Sequence, residues 1–178
     1  MIKDILVLSR FEMVKIIHSI PSNQNPRVKF IVISLFGNDQ NLIKNNQGKY
    51  TPNVLIRDHK IKTLHELGMV DHLNVFCDDI APEQAEELHQ ERPGEYLVKL
   101  FDENNAKDVI EFIEKYKNED YVLIVHCDAG ISRSSATAIF CGSFVGIGPE
   151  YFVGHYPYIR PNQHILKTLR DEQAKNNK

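Results

Sequence analysis

The sequence has no tryptophan, only three cysteines, and no apolar stretch that reads as a membrane span. Each shortage excludes something. Cysteines 77, 127 and 141 form no CxxC pair, which argues against a disulfide framework or a zinc ribbon and for a reducing compartment. No two of His89, His155 and His164 share metal-ligand spacing with a carboxylate, so no metal is expected. The N-terminal stretch MIKDILVLSRFEMVKIIHSI is apolar but is interrupted by Asp4, Arg10, Glu12 and Lys15. It is neither a signal-peptide core nor a span, and a cytoplasmic protein without a membrane partner is expected. Charge of one sign is also lacking. The net charge of −3 and the absence of a basic stripe exclude a general affinity for nucleic acid.

What remains is an ordinary globular composition, 42% apolar and 25% charged in 178 residues, which suits a single domain over 1–178. Strand-like runs occur at 4–8, 28–35, 54–56, 72–76 and 121–125, the last a continuous apolar run of the kind buried on both faces. Helical spacing occurs at 11–20, ended by Pro21, and at 61–69, ended by Gly68. The clearest helix is 102–117, where Ala106, Val109, Ile110, Ile113 and Tyr116 share one face and Asp102 is the natural N-cap. A small-residue helix follows Arg133, and a last amphipathic helix ends in a solvated tail, 172–178. The Asn-rich segment 37–50 reads as a loop. The acidic segment 80–100 reads as an insertion or loop that can hold a helical turn over 83–90. Alternating strands and helices predict an α/β class: a central, mostly parallel sheet flanked by helices.

The chemistry concentrates in VLIVHCDAGISRSSATAIF, 122–140. A strand end, a short glycine-containing turn and a helix start form a cup of backbone N–H groups that favours an anion. Gly130 allows the backbone angle that turns more N–H groups inward. The planar fork of Arg133 can hold two phosphate oxygens at once. Cys127 then lies at the bottom of the cup, in a field that favours the thiolate, a nucleophile aimed at a phosphoester. Ser134 can donate to the sulfur, and the imidazole of His126 orders the loop rather than acting as the base.

This segment, HCDAGISRS at 126–134, resembles the active-site loop of the cysteine-based protein tyrosine phosphatases: His-Cys, five residues, Arg, then Ser or Thr. More loosely, ILVLS, FIVISL, LNVFCDDI, LFDENNAKDVIEFIEKY and RPNQHIL resemble further parts of compact, bacterial-type phosphatases of the dual-specificity kind. The resemblance implies a phosphatase-like fold with the phosphate loop between a central strand and a helix. It implies a phosphomonoester hydrolase with a phosphocysteine intermediate on Cys127, a mechanism that needs no cofactor. Phosphate or another oxyanion would sit on Arg133 and on the backbone of Asp128, Ala129, Gly130, Ile131 and Ser132. The substrate would be a phosphorylated protein or peptide, phosphotyrosine favoured. It also implies a carboxylic acid that protonates the leaving oxygen. Asp79 is the first candidate, Asp78 the second and Asp102 the third; the last also suits a helix cap.

Other residues have plainer readings. Cys141 is a small buried hydrophobe, and Cys77 a buried thiol that adjoins the acid segment, where a protective disulfide with Cys127 is the alternative. Arg160 and Asn162 are read as structural around the loop. The competing function is a phosphate-reading binding module with weak or no turnover, which would follow from loss of the acid. A loop with Asp128 and no lysine disfavours a highly charged inositol lipid.

Overall fold

A parallel strand covered on both faces is apolar along nearly its whole length, and Val122–Cys127 (VLIVHC), apolar from Val122 to Val125 before His126, is such a strand. It lies inside the sheet of the computed structural model, which describes residues 1–19, 28–37, 43–44, 50–51, 64–91 and 98–176. The elements in chain order are β1 (Asp4–Ser9), α1 (Arg10–Ser19), β2 (Phe30–Phe36), β3 (Ile43–Lys44), β4 (Tyr50–Thr51), β5 (Met69–Phe76), α2 (Pro82–Glu91), α3 (Glu103–Tyr116), β6 (Val122–Cys127), α4 (Arg133–Phe144), α5 (Pro149–His155) and α6 (Gln163–Asn176).

Four strands form one sheet in the order β1-β6-β2-β5, every neighbour parallel. The α/β class with a parallel central sheet flanked by helices is therefore as predicted. The alternation of side chains along the strands divides the core in two. On one face Ile5, Val7, Ile31, Ile33, Leu35, Leu123 and Val125 meet apolar residues of α3, α4, α5 and α6. On the other, Val32 and Ile124 meet Met13 of α1 and Leu64, Leu67 and Met69.

α3 forms for the predicted reasons. Its five predicted core positions are all buried, and Asp102 closes a reciprocal capping box with Asn105. Residues 64–66 are helical and the turn ends at Gly68, whose φ is 104°. Four expectations change. The 80–100 segment, expected as an insertion or loop, contains the ten-residue helix α2, whose Ala85 is buried. Residues 43–44 of the predicted 37–50 loop pair antiparallel with 50–51. α5 was not anticipated; Pro149 at its first turn and buried Phe152 anchor it. The expected tail from 172 continues α6 to Asn176, because Glu172 is buried and pairs with Lys175 at 2.9 Å. The predicted strand at 54–56 lies outside the described residues. Among the described residues, no helix is long and apolar enough to cross a membrane.

Candidate active site

A parallel sheet brings the carboxyl ends of its strands to one edge, where the following loops enclose a crevice. Four strand ends meet here. Ser9 of β1 is in register with Cys127 of β6, and Phe36 of β2 with Phe76 of β5, so Gly37 and Cys77 follow side by side. All the groups described below stand on this edge or on the turns leaving it.

The turn from β6 to α4 is held from several sides. Gly130 has φ +72°. A Cβ there would come within 2.6 Å of Ser9 N and 2.8 Å of Leu8 C, so both the angle and the space demand glycine. The N–H of Arg10 donates to Asp128 O at 3.0 Å, and the N–H of Arg160 donates to Ile131 O at 3.0 Å. Gly130→Ala is expected to lower stability by about 2 kcal/mol or more from the angle and the clash together, read from chemical denaturation.

Within that turn Cys127 is 2% exposed, and its Sγ lies 3.2 Å from Ser134 Oγ. Ser132 is the N-cap of α4, yet its side chain makes no capping bond. Its hydroxyl points elsewhere, to Asp79. The α4 N-terminus therefore has no side-chain cap from Ser132 in competition with an anion for its first-turn N–H groups.

Arg133 is buried. Nη1 donates to Cys77 O at 2.9 Å and Nη2 to Asp128 Oδ2 at 2.7 Å. Nε is buried and has no hydrogen-bond partner among the described residues, although Asp79 Oδ2 stands 3.9 Å away. Burial works against the guanidinium charge, but the attraction of Cys127 and Asp128 outweighs it and raises the pKa further. Two contacts thus fix the plane of the fork, and Nε is its one buried nitrogen without a hydrogen-bond partner among the described residues. Gly37 makes room for this arrangement: a Cβ there would meet Asp78 Oδ1 at 2.6 Å and Arg133 Nη1 at 3.0 Å.

His126 faces inward and is buried, with Nε2 2.7 Å from Ser34 Oγ. Desolvation pushes its pKa down to about 4, so the imidazole is neutral near pH 7 and the local cation is Arg133. Asp128 bridges two arginines, with Oδ1 3.7 Å from Arg10 Nη1 and Oδ2 on Arg133. Cys77 contributes its carbonyl rather than its sulfur; burial raises its thiol to about 12. Burial also pushes Cys141 up to about 12.

The three candidate acids separate. Asp79 Oδ1 accepts from Ser132 Oγ at 2.7 Å and from Asn162 Nδ2 at 3.0 Å, which places this carboxylate on the 128–133 turn. Asp78 Oδ2 accepts the Lys99 N–H at 2.8 Å, and its own N–H donates to Lys99 O at 2.7 Å, binding 78 to the segment before α3. Asp102 caps α3 and pairs with Lys99 Nζ at 2.8 Å. Burial opposes its ionisation, but the bonds from Lys99 and the Asn105 N–H prevail and hold its carboxyl below the usual range. Sequence reasoning missed Gly37, Ser34 and Arg10. It named Asn162 only as structural.

No protein-family model matches the chain. Among curated proteins it is similar to Protein phosphatase Slingshot homolog 3 of Mus musculus, 30% identical over 102 residues that make up 51% of this chain and 16% of that protein. The Rattus norvegicus protein of the same name is 29% identical over the same share of each chain. The chain spans about a sixth of the length of these relatives. Both are protein phosphatases, and this distant, partial similarity accords with the resemblance carried by 126–134.

Proposed function

We propose that the protein is a phosphomonoester hydrolase, a phosphatase of the protein tyrosine or dual-specificity kind that uses Cys127 as nucleophile. The observation that carries this reading is the buried, unpartnered Nε of Arg133 in the same turn as the Cys127 sulfur, at an α4 N-terminus that Ser132 does not cap. A phosphate oxygen satisfies that N–H, and the remaining equatorial oxygens take the backbone N–H groups of 128–133. The similarity to protein phosphatases supports it.

In the first step a Cys127 Sγ–P bond forms as the ester P–O bond breaks, and Asp79 gives its proton to the departing oxygen. In the second a water oxygen bonds to phosphorus, the S–P bond breaks, the water proton passes to Asp79, and inorganic phosphate leaves. Ser134 donates to the sulfur as it departs. His126 stays neutral and holds the strand end. The substrate class is a phosphorylated protein or peptide, with phosphotyrosine favoured, acting in the cytoplasm.

The test is hydrolysis of para-nitrophenyl phosphate with reductant and chelator from about pH 5 to about pH 8, with acid-quenched protein examined for a phosphoryl group on Cys127. Turnover with that adduct supports the reading, and no turnover in reducing buffer overturns it. Asp79→Asn is expected to lower kcat on phenyl phosphate by about 10²- to 10⁴-fold. It should also flatten the decline in rate at rising pH, because a general acid works only while protonated. An Asp79→Asn enzyme with wild-type kcat and pH profile would move the acid to Asp78 or Asp102.

A further inference from the structure

Asn162 has an amide whose two ends are separately committed. Its Oδ1 accepts the Ile165 N–H at 3.1 Å, capping α6, and its Nδ2 donates to Asp79 Oδ1 at 3.0 Å. A flipped amide would set oxygen against the carboxylate and N–H against N–H, so both partners fix one orientation. The residue is also strapped to the phosphate loop. Its own N–H donates to Ser132 O at 3.3 Å, two residues after Arg160 binds Ile131 O. Asn162 therefore joins the α6 N-terminus, the 128–133 turn and the candidate acid.

The contacts on Asp79 are unequal. Oδ1 receives both Asn162 Nδ2 and Ser132 Oγ, whereas Oδ2 lies toward Arg133 Nε at 3.9 Å. An oxygen that already accepts two donors is poorly placed to carry a proton of its own. We infer that Asn162 is a positioning residue: with Ser132 it pins Oδ1 of Asp79, so that the proton destined for the leaving oxygen is carried on Oδ2, facing the phosphate. This rests on the proposed reading of Asp79 as the general acid.

Asn162→Ser separates the two roles of the residue, because serine caps a helix about as well as asparagine but is too short to reach Asp79. Ser132→Ala removes the second donor without touching the α6 cap. Both variants should melt near the wild type. A misplaced acid matters most when the leaving oxygen is basic. On phenyl phosphate each variant is expected to lose about 10- to 100-fold in kcat with KM little changed, and on para-nitrophenyl phosphate much less. In an Asp79→Asn background, Asn162→Ser should add almost nothing. Equal losses on the two esters, unchanged kcat on both, or full additivity with Asp79→Asn would overturn the inference while leaving a Cys127-dependent phosphatase intact. Absence of Cys127-dependent turnover in the wild type would instead overturn the parent reading and this one with it.

Discussion

Cys127→Ser is expected to lose at least about 10⁴-fold in kcat on every phosphate ester, with no pH between 5 and 8 at which activity returns. The substitution changes the nucleophile and little else. Cys127 is buried at the end of β6, its main chain is fixed by the parallel register with Ser9, and Ser134 Oγ can bond an oxygen as it does the sulfur. The chemistry changes greatly. An ordinary thiol ionises near pH ~8.5, within reach of a nearby cation and a helix N-terminus, whereas a serine hydroxyl needs an adjacent base to become nucleophilic. Such a base is not supplied by His126, whose Nε2 is engaged with Ser34 and which lies in the sheet. Binding should survive. Phosphate or vanadate should still raise the melting temperature of the variant, because Arg133 and the loop N–H groups are intact. A Cys127→Ser enzyme retaining more than about a tenth of wild-type kcat would exclude the covalent route.

The strand, turn and helix around Cys127 were legible in the sequence because each carries a local signal. A continuous apolar run marks a strand covered on both faces, and a glycine followed by small residues marks the turn and the tight helix after it. Asp102 as the α3 cap was legible for the same reason: its partner Asn105 lies three residues away. The contacts that shape the site are not local. Arg133 is oriented by the carbonyl of Cys77, Asp79 by Asn162, and the guanidinium finds room only because position 37 has no side chain. Those partners are far apart in sequence and are joined by the ends of parallel strands, so no pattern of neighbours announces them. α2 was undervalued for a different reason. It is amphipathic, but only Ala85 of it is buried, so its apolar stripe is thin.

In this mildly acidic protein the turn after β6 still keeps a buried cation. Asp128 and Asp79 both lie against Arg133, yet they contact different nitrogens, Asp128 at Nη2 and Asp79 nearest Nε. Asp128 is itself shared with Arg10. The arginine is thus oriented by one carboxylate, while the other sits where a protonated acid would face a bound phosphate. Net charge is a poor guide to such a turn, because the local field is dominated by the buried cation Arg133 and not by the chain as a whole.

Arg133→Lys keeps the positive charge, and for that reason it is the sharper test of geometry. The guanidinium reaches Cys77 O with Nη1 and Asp128 with Nη2, and its buried Nε has no hydrogen-bond partner among the described residues. An ammonium is a point charge with no planar fork and cannot meet two fixed acceptors and two phosphate oxygens together. If the lysine turns to Asp128, the phosphate loses its cation; if it turns to the phosphate, the Cys77 carbonyl and Asp128 lose their donor. Either way the transition state, in which charge spreads over three equatorial oxygens, is held less well than the ground state. The expected loss is about 10³- to 10⁵-fold in kcat/KM. The stabilisation by phosphate or vanadate should vanish as well, in contrast to Cys127→Ser. Melting curves without ligand check that the variant is folded. A folded Arg133→Lys enzyme within about tenfold of wild type would mean that a nearby charge is enough and that the fork held by Cys77 and Asp128 has no part in catalysis.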